Sequence, residues 1–159
     1  MAELEVTIPK NSQNIAGVVR IRAPLERVFE AYVDERLFAQ WWCRGNPMQV
    51  FHFDCRDGGR WHISECSEDG NEHAFAGCFH EVTKNERIIQ TFEYLGMPER
   101  GHVFLERADF VADGRSATQI RTLSTAQSIA DRDGMVAAGM ESGWRQSVDA
   151  LGRLLEGRS

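Results

Sequence analysis

Five histidines and four cysteines are the first candidates for chemistry in this chain of 159 residues. Cys43, Cys55, Cys66 and Cys78 lie roughly a dozen residues apart, and none belongs to the C-x-x-C pair that zinc sites favour. His52 and His62 can face one another across a hairpin at a separation that admits a metal. They fall on its polar side, however, without a third ligand, and His73, His80 and His102 have no ligand spacing. No metal and no cofactor is therefore expected. Glu81 is the one candidate for acid–base work. It shares strand parity with Phe75, Gly77 and Phe79, so if Phe79 points inward, Glu81 should as well. A carboxylate among apolar side chains has a raised pKa and can act as an acid or a base. The competing reading is a strand-end carboxylate that meets water or an arginine. Glu106 and Arg107 raise the same question, with their facing left open. There is no nucleophile elbow, dinucleotide fingerprint or P-loop. Gly58 and Gly59 belong to a turn, and Ser124 and Thr125 lack an evident histidine partner.

These residues must be positioned by strands and by helices at the two ends of the chain. Val18–Arg22 alternates as a strand. Pro24 then suits a first helical turn, and Leu25, Val28, Phe29, Tyr32 and Val33 repeat on one face. Asp34 can cap a second short helix that ends on the adjacent pair Trp41 and Trp42. Beyond it, MQVFHFD and RWHISE flank a turn, with Phe53 predicted opposite Trp61, His52 opposite His62 and Phe51 opposite Ile63. That register puts Phe51, Phe53, Trp61 and Ile63 on one apolar face. HAFAGCFHEV, ERIIQTFEYLG, HVFLERADFVA and SATQIRTLSTA continue as strands. Gly77 marks a bend or a close backbone approach in the first of these. From about Ser128 the period becomes helical. Val136, Met140, Trp144, Val148, Leu151 and Leu155 form one stripe on a long C-terminal helix that needs a sheet beneath it.

Bulk properties narrow the function classes. Net charge is −6, from 18 basic and 24 acidic residues, so the chain has no broad attraction for nucleic acid or anionic membranes. No apolar run is long enough to span a bilayer. The start MAELEVTIPK lacks the pattern of a secretory signal, so free thiols and a cytoplasmic location are expected.

The order and identity of several motifs resemble one known family. Ala23-Pro24 with Val28-Phe29, Trp41-Trp42, Gly58-Gly59-Arg60-Trp61, Gly77-Cys78-Phe79-His80-Glu81-Val82 and Gly143-Trp144 are similar to the pattern of the family named after the activator of heat-shock-protein-90 ATPase. That family sits within the START-like, or SRPBCC, helix-grip superfamily. The resemblance runs from about Ile15 to Glu156. It implies an α+β fold: a curved antiparallel sheet of about seven strands around a long C-terminal helix, with two short helices between strands one and two. It also implies a single domain over residues 1–159 and a cavity between sheet and helix. Trp41, Trp42, Phe51, Phe53, Trp61, Ile63, Phe75, Phe79, Phe92, Met140 and Trp144 are the expected lining. Whether the two adjacent tryptophans only seal the core or also cover a ligand stays open. The favoured expectation is binding of a small, mostly apolar molecule. A cavity enzyme acting on a hydrophobic or aromatic substrate, and a chaperone-assisting or partner-binding module, are the alternatives. No nucleic-acid or membrane partner is expected, and a homodimer is left open.

Overall fold

The computed structural model describes residues 2–157. The chain runs β1 (Glu3–Thr7), β2 (Asn14–Ile21), α1 (Leu25–Val33), α2 (Glu35–Trp41), β3 (Met48–Phe53) and β4 (Arg60–Cys66). It continues through β5 (Glu72–Thr83), β6 (Arg87–Tyr94), β7 (Val103–Asp113), β8 (Ala117–Thr125), α3 (Ile129–Ala137) and α4 (Met140–Leu155). All eight strands form one antiparallel sheet in the order β1-β2-β8-β7-β6-β5-β4-β3. This is an α+β helix-grip architecture, with the strands curving around the C-terminal helix.

The strand count is eight, one more than expected. β1 pairs with β2 from Glu3 opposite Arg20 to Thr7 opposite Ala16. Two of the five residues in its sequence, ELEVT, are charged, because an edge strand turns Glu3, Glu5 and Thr7 to solvent. The C-terminal helix is also divided. Gly139 sits at φ 88°, a left-handed conformation that ends α3 and starts α4. The apolar spacing runs across that break, and Val136 and Met140 on either side of it are both half-buried.

The helical connection after β2 follows from local chemistry. Asp34 ends α1 and caps α2, its Oδ1 accepting from the Leu37 amide at 3.1 Å. Phe29 and Tyr32 of α1 meet Phe110 edge-on at 5.0 and 5.1 Å. Val19, Ile21, Ile63, Ile120, Val148 and Leu151 are fully buried between the concave face, α1 and the C-terminal half of α4. α4 comes down on the sheet at Gly17, where a side chain would overlap the Trp144 indole. α3 is tied at its edge by Arg132. This buried guanidinium donates to the carbonyls of Pro9 and Asn14, each at 2.8 Å.

Two bulges change the facing of residues singled out above. In β3, Phe53 pairs with Trp61 and His52 with His62, as expected, but Val50 then pairs with Ile63. Phe51 is the extra residue. It is 51% exposed and lies against the His62 ring at 4.7 Å, so it does not share the apolar face with Phe53. In β5, Phe79 pairs with Gln90, whereas Glu81 pairs with Ile89. One residue is inserted between them, and Glu81 therefore takes the convex face. There it accepts from Arg87 at 3.1 Å and from Thr83 at 2.7 Å. The inward facing inferred for Glu81 from strand parity is corrected by that insertion.

Candidate functional site

The concave face is organised in cross-strand rows. One row is Ile15, Ser124, Glu106, Gln90 and Phe79, each opposite the next on adjacent strands. Ile15 and Phe79 are buried, but Ser124, Glu106 and Gln90 keep part of their surface accessible. The row beside it carries Phe104 opposite Phe92, then Gly77 opposite Trp61. On the other side lie Gly17, Thr122, Ala108 and Ile88. Trp144 of α4 stands over Gly17 and contacts Thr122's neighbourhood from above. Three polar side chains thus sit in the middle of a face that is otherwise aromatic and aliphatic.

Glu106 is the centre of that group. It accepts from Ser124 Oγ at 3.2 Å and from Gln90 Nε2 at 3.4 Å. Both contacts are long for hydrogen bonds to a carboxylate. Among the described residues, no cation forms an ion pair with it; Arg87 and Arg107 are engaged with Asp109 on the opposite face. Burial pushes its pKa up to about 7, and the two hydrogen bonds offset only part of that rise. The side chain keeps some solvent access, yet surrounding protein is dense enough for desolvation to dominate its titration. Near neutrality Glu106 can therefore accept a hydrogen bond, donate one, or take up a proton.

The aromatic wall adjoins this row. Trp42 is half-buried and stacks on Phe38 at 5.6 Å. It meets Phe75 at 5.2 Å, Trp61 at 5.6 Å and Phe92 at 6.2 Å. Phe92 continues to Phe75 at 5.6 Å and to Phe104 at 6.5 Å. Trp42, Phe75 and Phe92 retain accessible surface on this face. Trp41 does not: it is 3% exposed, donates from Nε1 to the Ala31 carbonyl at 2.9 Å, and packs on Tyr32 at 4.7 Å. Adjacent helix positions thus point to different environments.

Of the other expected lining residues, Trp61, Ile63 and Phe79 are buried, and Phe53 is half-buried against Phe38 at 4.9 Å. Met140 and Trp144 are half-buried near the start of α4, and Phe51 lies outside the group. The Trp61 indole N–H is buried without a partner among the described residues. It lies beside Gly77, where a Cβ would come within 2.7 Å of it and overlap the Thr91 carbonyl oxygen. The close approach at Gly77 is therefore to a ring and a neighbouring strand, and no helix is involved.

Gln90, Glu106 and Ser124 are the residues that spacing alone did not assign. The signal was the alternation Phe104, Glu106, Ala108, Phe110, which places Glu106 among apolar residues of one strand face.

Elsewhere, two surface grooves lie where the α2–β3 loop meets the end of the sheet at the β4–β5 turn. One, of about 300 Å³, is lined by Arg44, Asn46, Asp69 and Gln146, and the other, of about 180 Å³, by Met48, Ser64 and Glu72. The first is polar, and Arg44 within it is held by the buried Glu65, its Nε at 3.1 Å. Among the described residues, no three His, Cys, Asp or Glu side chains converge as a metal site would require. Among them, too, no helix is long and apolar enough to cross a membrane.

Comparison with known proteins agrees with the fold. The family model described as Activator of Hsp90 ATPase homolog 1-like protein matches residues 22–156. The chain belongs to this family. Solved structures with the same fold include the Ms6760 protein of Mycobacterium smegmatis, with TM-score 0.82, 18% identity and coverage of 98% of each chain. A protein of Arthrobacter aurescens has TM-score 0.87 at 17% identity, with 98% of this chain and 92% of that one covered. The CV1439 protein of Chromobacterium violaceum has TM-score 0.74 at 25% identity, with coverage of 91% and 99%. No curated protein matches the chain. Members of this family share the sheet and helix that build the concave face. What that face holds depends on its side chains.

Proposed function

We propose that this protein binds a small, mostly apolar molecule on the concave face of its sheet, between the Glu106 row and the aromatic wall of Trp42, Phe75 and Phe92. The observation that carries the reading is the uneven cover of that face. Val19, Ile63 and Ile120 are fully buried, whereas Phe75, Phe92, Gln90, Glu106 and Ser124 remain accessible. An apolar concavity with a few convergent polar groups is the common form of a small-molecule site. The fold is one that commonly binds ligands, which supports the same reading.

Acid–base catalysis in the same place is the second reading. It is favoured by one observation, the Glu106 carboxyl titrating near neutrality in an apolar setting. Trp42 separates ligand binding from folding. Trp42→Ala should weaken uptake of a hydrophobic fluorescent probe by about tenfold, because aromatic contact area is lost at the site. Trp41→Ala should instead lower stability by roughly 3–5 kcal/mol while leaving the affinity of the folded fraction close to wild type. Unchanged probe affinity in Trp42→Ala would remove this face from the binding reading.

A further inference from the structure

Resting on the binding reading above, we propose that the concave face selects cationic amphiphiles: molecules with an aromatic or aliphatic body and a protonated amine that pairs with Glu106. The argument begins with an imbalance. Glu106 places a carboxyl group on a face that is otherwise largely aromatic and aliphatic, and among the described residues no cation neutralises it. Gln90 and Ser124 each donate one long hydrogen bond, one to either oxygen, and two donors do not use the four lone-pair sites of a carboxylate.

Its surroundings suit a cation. Phe104 occupies the next inward position on β7, and Phe92 the next on β6, about 7 Å along the sheet. Trp144 stands above the row on the other side. Aromatic faces beside an uncompensated carboxylate attract an ammonium group through the ring quadrupole and through charge. A neutral ligand would leave the carboxylate unpaired, and an anionic one would be repelled by it. The chain's net charge of −6 adds a weak attraction of the same sign for cations approaching from solvent.

The side chains next to Glu106 carry no titratable group, but His102 lies on the same face two inward positions away, just ahead of β7, where its pairing with Asp131 of α3 at 3.1 Å raises its pKa. β6 presents Gln90, β8 presents Ser124 and Thr122, and β7 presents Phe104 and Ala108. On α4, Glu141 and Arg145 pair with one another at 3.1 Å. A pH dependence of ligand binding that persists in His102→Gln therefore reports Glu106, until the amine itself loses its proton.

Three probes with one aromatic body decide the matter: naphthylmethylamine, naphthylmethanol and naphthoate. Each is titrated against the wild-type chain and Glu106→Gln at about pH 8, where an ordinary primary amine is still largely protonated and Glu106 is largely ionised. The amine should bind wild type about tenfold more tightly than the alcohol, with naphthoate weakest. Glu106→Gln should abolish the preference for the amine while still binding the alcohol. Lowering the pH to about 5.5 should weaken amine binding to wild type and equally to His102→Gln, and leave the alcohol unaffected. Equal affinity for amine and alcohol in wild type, or a preference that survives in Glu106→Gln, overturns the cation assignment and leaves the binding reading intact. Failure of all three probes to bind overturns both.

Discussion

Glu106 has an opposite effect on stability and on the proposed binding. Its folded pKa, about 7, lies above the ordinary value of 4.5, so the folded chain holds a proton that the unfolded chain releases. Stability from this group is therefore fully present below about pH 4.5, falls as pH rises towards about 7, and is flat above it. The displacement corresponds to roughly 3 kcal/mol as an upper bound. Urea denaturation of wild type and Glu106→Gln across this range should show wild type losing ground to the variant as pH rises. A constant difference between the two would mean that Glu106 titrates normally and is well solvated. Trp41 and Trp42 show how far residue-level reading can go. Helical spacing separates the two rings, but only tertiary structure shows that Trp42 joins Phe75 and Phe92, which come from strands far along the chain. The alternation Phe104, Glu106, Ala108, Phe110 pointed Glu106 inward, but Val103, Leu105 and Val111 on the opposite parity are apolar too, so alternation alone did not decide which face was buried.

At the scale of elements, Gly17 is where sheet and helix come closest. Its backbone φ is not among the positive values, so a side chain there is opposed by packing and not by backbone strain. A Cβ would overlap the Trp144 indole and approach Thr122 Oγ1 to 3.0 Å. Gly17→Ala should destabilise by about 1–3 kcal/mol through overpacking, against the gain that replacing a strand glycine usually brings. A thermal midpoint at or above wild type would show that α4 can lift without loss. Elements were legible wherever local chemistry was strong: the Asp34 cap, the α1 stripe and the hairpin at Phe53 opposite Trp61 all follow from short-range signals. They were not legible at the bulges. A single inserted residue near Phe51 or His80 reverses every later side chain on that strand, and no alternation pattern announces it. β1 escaped for another reason, since a charged edge strand lacks the apolar alternation of a half-buried one.

For the whole molecule, the concave face divides into two parts. α1 and the C-terminal half of α4 seal one part, and the polar row with its aromatic wall forms the other. Family and fold fix the shape of that face, while side chains such as Glu106, Gln90 and Phe92 set its chemistry. The convex face offers a contrast, because Leu105 and Leu123 are exposed there at 51% and 40% and would serve a protein partner better than a small molecule. Amide and indole NMR spectra of the labelled chain, recorded during titration with naphthylmethylamine, distinguish the two faces directly. If the concave face is the binding site, the largest shifts cluster at the Trp42 indole, Phe75, Gly77, Phe92, Phe104 and Glu106. Shifts confined to the convex strands around Leu105 and Leu123, or none at saturating probe, would contradict that assignment.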